Sequence, residues 1–156
     1  MLILGLNAYN ADASAAILTK GELTAAVEEE RFSRIKHSAG FPYESVKFCV
    51  EASNYQAVDL SHVAICRNPK AHFWKKVMFT LLNRPNPAGV IDRLKANAKV
   101  LSLQDELQQS LNILSPDFNP KLHKVEHHKA HIASAFYASP YEESAVFSVD
   151  GFGDFV

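Results

Sequence analysis

Residues Leu2–Val27 read LILGLNAYNADASAAILTKGELTAAV, and the spacing of their apolar residues predicts three consecutive strands. Leu2–Leu6 is a short apolar run that ends in a polar loop, which is typical of a buried strand. Ser14–Thr19 and Glu22–Val27 are predicted as two further strands, because only a Lys-Gly turn separates them. The three strands are expected to form an antiparallel meander.

After the meander, the pattern alternates between helices and strands. Pro42 begins a predicted helix that runs to about Ser53, since proline is favoured at the first helical position. The elements predicted beyond it are the buried strand His62–Cys66, amphipathic helices over 70–112 with a break at 84–87, the strand Leu122–Val125, the helix His128–Tyr137 and the strand Ala145–Val149. This order predicts an α/β fold.

Residues 2–18 are predicted as a strand, a polar loop and a second strand. A similar pattern recurs in residues 145–156, where a predicted strand is followed by a Gly/Asp loop and a new strand. The actin/sugar-kinase/Hsp70 architecture is duplicated in this way, with phosphate groups held between its two halves. We therefore expect residues 1–140 to be the first half, with a helical insertion at about 70–120, and residues 141–156 to begin the second half. Because the last strand would end at an open apolar edge, we expect a fragment of a longer protein or a truncated reading frame.

Composition and charge argue against several classes of protein. With 47% hydrophobic content, 156 residues are enough for one domain with a core, and the net charge of −1 argues against a nucleic-acid-binding surface. The longest apolar stretch, around 77–82, is too short to span a bilayer, so no membrane partner is expected. Cys49 and Cys66 have apolar neighbours and no pairing pattern, which predicts reduced core residues of a cytoplasmic protein.

A metal site is predicted near the end of the chain. His127 and His131 are four residues apart, so on a helix they lie on one face, a spacing that suits two ligands of one ion. Asp150 follows the last predicted strand and is the candidate third ligand. Glu126 or Ser134 is a candidate to hold the second ring nitrogen of a ligating histidine. The alternative is a helix that begins with incidental histidines.

The segment after the last predicted strand is a candidate phosphate-binding turn. Gly151 and Gly153 allow the backbone to approach an anion closely, because glycine has no side chain in the way. The alternative is an ordinary hairpin turn. Asp154 has three open roles, which are to hold a metal-bound water, to hold a ribose hydroxyl, or to stabilise the turn.

Three more residues are candidates for substrate binding or catalysis. Asp12 lies in the first strand–loop–strand and faces either the same cleft or solvent. The alternating charges of Glu28–Gly40 predict a loop that is either a solvated surface or aims Lys36 at an anionic substrate. Arg67 follows a buried strand at its carboxyl end, where open sheets bind ligands, and is a candidate to bind an anion.

Four segments resemble the N-terminal part of the carbamoyltransferases typified by the nodulation protein and by antibiotic-tailoring O-carbamoyltransferases. In chain order they are LGLNAYNADASAAIL, AAVEEERFSRIKHSAGFP, VEHHKAHIASAFYASPY and FSVDGFGD. They extend over nearly the whole chain, and the second and third segments are long and unusual.

The resemblance implies a longer protein, in which a duplicated actin-like domain precedes a domain that activates carbamoyl groups. It implies that carbamoyl phosphate and ATP form a carbamoyl-adenylate, and that the carbamoyl group passes to a hydroxyl of a sugar or antibiotic-like small molecule. Without the second half and the activating domain, we expect residues 1–156 to be inactive. An inactive remnant, or a non-enzymatic module that binds metal or nucleotide, is the alternative.

The resemblance also implies roles for individual residues. The family's HxxxH histidines match His127 and His131, its metal-binding aspartate matches Asp150, and the metal is iron or another divalent ion. A family lysine near the carbamoyl group matches Lys36. Relatives usually carry a histidine at or next to residues 10–11, where this chain has Asn-Ala, so another group is needed if that histidine is the base. Sugar and acetate kinases of related fold have no paired histidines, and the HHKAH segment therefore argues against them.

Overall fold

The computed structural model describes residues 1–9, 12–68, 71–83, 103–113, 115 and 117–149. Five strands and five α-helices are defined in these ranges. They are β1 (Leu2–Asn7), β2 (Ser14–Thr19), β3 (Glu22–Glu28), α1 (Glu30–Ser33), α2 (Tyr43–Ala52), β4 (His62–Ile65), α3 (Phe73–Asn83), α4 (Leu103–Ser110), β5 (Lys121–Lys124) and α5 (His127–Tyr137), with a short 3-10 turn at Ala57–Asp59. The α/β class is confirmed.

The strands form one sheet in the order β3-β2-β1-β4-β5. β1 pairs antiparallel with β2, and β2 pairs antiparallel with β3, which confirms the predicted meander. β4 pairs parallel with both β1 and β5. The carboxyl ends of β1, β4 and β5 therefore meet at one edge of the sheet, where open α/β sheets place their ligands.

One face of the sheet forms the hydrophobic core. Along β1, Leu2, Leu4 and Leu6 are buried while the residues between them are half-buried, so strand alternation directs the leucines to a single face. Helices α2 and α4 cover this face. The helical side chains buried in the core are Val46, Cys49, Val50, Leu103 and Leu107. The opposite face carries the residues that line the cleft described below.

The start of α2 is held by the carboxylate of Glu29, which follows β3 directly. Its oxygens accept hydrogen bonds from the backbone N–H of Glu44 at 3.1 Å, the N–H of Ser45 at 2.9 Å and the Ser45 hydroxyl at 2.7 Å. The first N–H groups of a helix have no partner within the helix. The Glu29 carboxylate, at the end of β3, supplies the missing acceptor and thereby connects β3 to α2.

Two cysteines have different environments. Cys49 is fully buried and its thiol donates to the carbonyl of Ala15, and burial raises the pKa of the thiol to about 11. Cys66 is half-buried, lines the cleft, and contacts the Asn7 side-chain oxygen at 3.1 Å. Cys49 is thus a core residue as predicted, whereas the prediction of a core position for Cys66 is wrong.

Two predicted elements differ from the structure. Glu28–Gly40 was expected as a loop, but it includes the single-turn helix α1, which ends at Arg34 in the left-handed region with φ of 59°. Ala145–Val149 forms no strand, and the side chains of Phe147 and Val149 are 88% and 76% exposed. Among the described residues this segment pairs with no strand, and an isolated strand leaves its backbone groups to water. The predicted break at 84–87 and the new strand after 150 lie outside the described residues.

None of the helices in the described ranges combines the length and the apolar character that crossing a bilayer requires.

Replacing Glu29 with alanine is expected to lower the free energy of unfolding by about 2 kcal/mol, because two helix-start amides and a buried hydroxyl lose their acceptor. Urea unfolding followed by circular dichroism measures this change. The matched control is Glu51→Ala, which removes an exposed glutamate of α2. We expect the control to change stability by less than about 0.5 kcal/mol. Equal effects of the two substitutions would contradict the capping role of Glu29.

Candidate metal and substrate site

A cleft of about 710 Å³ lies between α5 and the second face of the sheet. Small residues form much of its wall. From the sheet these are Gly5, Ala16 and Ala26, and from α5 they are Ala130 and Ser134. A Cβ at Gly5 would meet only the Ala16 carbonyl oxygen, at an ordinary contact distance of 3.7 Å, so the small residues here leave open space rather than relieve strain.

The two predicted metal-ligating histidines line this cleft. The Nε2 atoms of His127 and His131 are 3.1 Å apart, their ring centroids are 4.5 Å apart, and the rings are nearly perpendicular. Imidazole nitrogens bind zinc-like ions at about 2.0–2.1 Å, so one ion is able to contact both nitrogens at this separation. The donor set therefore fits a divalent metal that accepts nitrogen ligands. The described residues contain no group of three or more His, Cys, Asp or Glu side chains that would complete such a site.

Helix α5 begins at His127 because Glu126 caps it. The two carboxylate oxygens of Glu126 accept from the backbone N–H groups of His128 and Lys129, each at 3.0 Å. Partial burial acts to raise the pKa of Glu126, but these two amides and the neighbouring His128 lower it below its ordinary value. Ser134 donates to the carbonyl of His131 at 2.8 Å. The prediction that Glu126 or Ser134 holds a histidine ring is wrong, since both side chains serve the helix backbone instead.

His128 is buried, and its ring lies edge-on to both histidines of the pair, with its centroid 5.6 Å from that of His127 and 6.5 Å from that of His131. Consecutive helical residues are about 100° apart, which separates it from His127. Its Nδ1 lies 3.2 Å from the Ser148 hydroxyl, and its Nε2 is buried with no hydrogen-bond partner in the described ranges. Ser148 precedes Asp150 by two residues in the sequence. The chain that leads to the predicted third ligand thus lies against the start of α5.

A second group of predicted residues gathers around the loop after β1. Asp12 Oδ1 lies 2.9 Å from His37 Nδ1, and the guanidinium of Arg67 donates to the Tyr9 carbonyl at 3.1 Å. Two backbone bonds hold the 34–40 segment here, from Tyr9 N–H to the Gly40 carbonyl and from Ala13 N–H to the Ser38 carbonyl. Asp12, Arg67 and the segment that carries Lys36 therefore lie near one end of the sheet.

The roles predicted for five residues are not tested by the structure. Gly151, Gly153 and Asp154 lie outside the described residues, as does Asp150. Lys36 is exposed on the 34–40 segment. Their predicted roles stay predictions.

The family model described as Carbamoyltransferase N-terminus matches residues 2–156. The chain belongs to this family. The match extends over β1–β5 and both histidines of the cleft, and it confirms the resemblance that the four sequence segments indicated.

The carbamoyltransferase-family chain is also similar to curated proteins that are much longer. It is 34% identical over 160 residues to the uncharacterized protein sll1178 of Synechocystis sp., covering 97% of this chain and 26% of that protein. It is 29% identical over 155 residues to nodulation protein NolNO of Sinorhizobium fredii, covering 96% of this chain and 21% of that protein. An uncharacterized 19.2 kDa protein of Rhizobium etli is 36% identical over 58 residues, which is 37% of this chain and 34% of that protein. The chain thus spans about a quarter of the length of the first two relatives.

Sequence reasoning missed His37 as a member of the loop group. Asp12 and His37 are 25 residues apart, and both have left-handed backbone, with φ of 60° and 55°. Such backbone is uncommon for residues other than glycine and often marks functional segments. The only local signal is that His37 directly follows the predicted Lys36 in a charged segment.

The cap at the start of α5 is expected to make stability depend on pH. Because the pKa of Glu126 is lowered in the folded state, the cap contributes stability that is present above its ordinary value of 4.5 and is lost as the pH falls further. Glu126→Gln is expected to cost about 1 kcal/mol near pH 7, and the difference from wild type is expected to shrink below about pH 4. Thermal unfolding across this pH range measures it.

The matched control for this titration is Glu143→Gln, which removes an exposed glutamate outside α5. It is expected to unfold like the wild type at every pH. A difference between wild type and Glu126→Gln that is constant from pH 3 to pH 7 would contradict the role of the charged cap.

Proposed function

We propose that the chain is the N-terminal part of an O-carbamoyltransferase that moves a carbamoyl group from carbamoyl phosphate, through a carbamoyl-adenylate made with ATP, to a hydroxyl of a sugar or antibiotic-like small molecule. The observation that carries the proposal is a histidine pair, with nitrogens 3.1 Å apart, lining a cleft in a chain of the carbamoyltransferase family. We also propose the duplicated actin/sugar-kinase/Hsp70-like fold. The β3-β2-β1-β4-β5 sheet, with helices on one face and α5 across the other, is compatible with one half of it.

We propose that His127 and His131 hold a divalent metal, iron being one candidate, with Asp150 as the third ligand. Imidazole nitrogen with carboxylate oxygen suits iron and zinc better than magnesium or calcium, which prefer oxygen ligands. When bound, the metal would supply Lewis-acid polarisation of a phosphate or carbonyl oxygen. Ser148 supports the assignment of Asp150, because it lies against His128 at the helix start.

The other predicted residues position the reactants in this proposal. Lys36 and Arg67 neutralise negative charge on phosphate or on the carbamoyl oxygen, and the backbone N–H groups of Gly151 and Gly153 hold phosphate oxygens. Asp12 orients groups at the loop after β1, where it contacts His37. A carbamoyl-adenylate has a good leaving group, so positioning and charge stabilisation account for most of the required catalysis.

The metal assignment predicts that His131→Ala weakens binding of Fe²⁺ or Co²⁺ at the cleft by at least about tenfold, because a two-imidazole site loses half of its nitrogen ligands. His127→Ala is expected to act alike. Anaerobic titration calorimetry and the visible absorption of Co²⁺ measure binding to the purified 156-residue chain. Lys129→Ala, an exposed position on the same helix, is the matched control and should bind like the wild type. Equal binding by all four proteins would exclude the histidines as ligands.

The transfer reaction is tested with the complete product of the gene that encodes this chain. With labelled carbamoyl phosphate and ATP, we expect pyrophosphate to be released only when carbamoyl phosphate is present. We also expect the label to appear on a hydroxyl acceptor from a panel of sugars and aminoglycosides. His131→Ala is expected to lower the rate at least about a hundredfold, as expected for lost transition-state stabilisation. The Lys129→Ala control should keep the wild-type rate. Failure to consume carbamoyl phosphate would identify the protein as an inactive or non-enzymatic member of the family.

A further inference from the structure

A second pair of histidines lies on neighbouring strands of the sheet and outside the residues that line the cleft. His62 is in β4 and His123 is in β5, 61 residues later in the sequence. His62 Nδ1 and His123 Nε2 are 3.0 Å apart, with ring centroids 5.1 Å apart and planes inclined by 50°. Both residues are half-buried. The parallel register of β4 and β5 alone brings them together.

The register places both rings on the same face of the sheet as the cleft. Val63 and Ile65 are buried in the core, so the alternate residues of β4 point to the opposite face. Ala64 pairs with His123, and His62 pairs with Lys121, two residues earlier on each strand. The two histidines are therefore diagonal neighbours across the strand pair, a relation in which long side chains make contact.

The nitrogen separation suits chelation of one metal ion. With metal–nitrogen bonds of about 2.0–2.1 Å, nitrogens 3.0 Å apart enclose an angle of about 95° at the metal. That angle is close to the right angle between adjacent ligands of tetragonal Cu²⁺ and Ni²⁺, and a small separation of the rings would suit tetrahedral Zn²⁺. The described residues supply no third His, Cys, Asp or Glu, so water would complete the coordination.

We propose that His62 and His123 form a second metal site, which takes a divalent transition-metal ion with a preference for imidazole and joins β5 to β4. β5 has only four residues and is the edge strand of the described sheet, so its pairing rests on one neighbour. α5 begins three residues after β5 ends and carries the histidines of the cleft. A bound ion would hold together two strands distant in sequence and so fix the point from which α5 departs.

The positive charge of Lys121 near the two histidines provides a further test of the metal site. Lys121, the register partner of His62, lies on the same face, and its exposed ammonium opposes a bound cation. Replacing Lys121 with glutamate would remove that repulsion and place a carboxylate beside the two imidazoles. Ile3, the register partner of His62 on the other side, is apolar and offers no ligand.

The experiment titrates the metal-free 156-residue chain with Cu²⁺, Ni²⁺ or Zn²⁺, using calorimetry for stoichiometry and electron paramagnetic resonance of Cu²⁺ to count nitrogen ligands. We expect His62→Ala and His123→Ala each to remove one metal equivalent that His131→Ala leaves in place. Lys121→Glu is expected to tighten that equivalent at least tenfold. Lys121→Gln, which removes the charge without adding a carboxylate, should give a smaller gain.

Two results would overturn the second site. One is a metal stoichiometry that is the same in wild type and in both single variants, which would leave the pair as a hydrogen bond only. The other is a metal affinity that is unchanged in a folded Lys121→Glu variant. This second result decides whether the site exists if removal of a histidine unfolds the chain. Because these measurements do not use carbamoyl transfer and separate the site from His131, failure here does not touch the proposed function.

Discussion

The parallel pairing of β4 with β1 and of β5 with β4 is the constraint on which the positions of the candidate groups depend. It directs the carboxyl ends of three strands to one edge of the sheet. The loop after β1, the chain after β4 with Arg67, and the start of α5 after β5 all follow from these ends. Residues that are more than a hundred positions apart in sequence are thereby placed on one side of a single five-stranded sheet.

The two faces of that sheet have different roles. One face is closed by α2 and α4 and has large buried aliphatic side chains, which supply most of the apolar burial. On the other face, Gly5, Ala16 and Ala26 leave the space that α5 borders with Ala130 and Ser134. The same period-two alternation that builds the core therefore also determines which residues line the cleft.

The meander, the α2 helix after Pro42 and the HxxxH spacing were predictable, because short turns, helix-start proline and the 3.6-residue period act over a few neighbouring residues. The lack of a strand at Ala145–Val149 was not predictable, since the apolar run satisfies a strand pattern although the described chain offers it no strand to pair with. The role of Glu126 was mistaken for a similar reason. Glu126 is close in sequence both to the histidines and to the first amides of the helix. Only the structure shows that the amides donate hydrogen bonds to its carboxylate.

By itself, the sequence determined the α/β class, the strand meander, the family and the local spacing of His127 and His131, all of which depend on contacts between near neighbours or on recognisable segments. Only the tertiary structure decided that Asp12 meets His37, that Arg67 reaches the loop after β1, and that His62 meets His123. Those contacts join residues 25 to 61 positions apart. Their geometry comes from strand register and loop packing, which no local pattern of residues specifies.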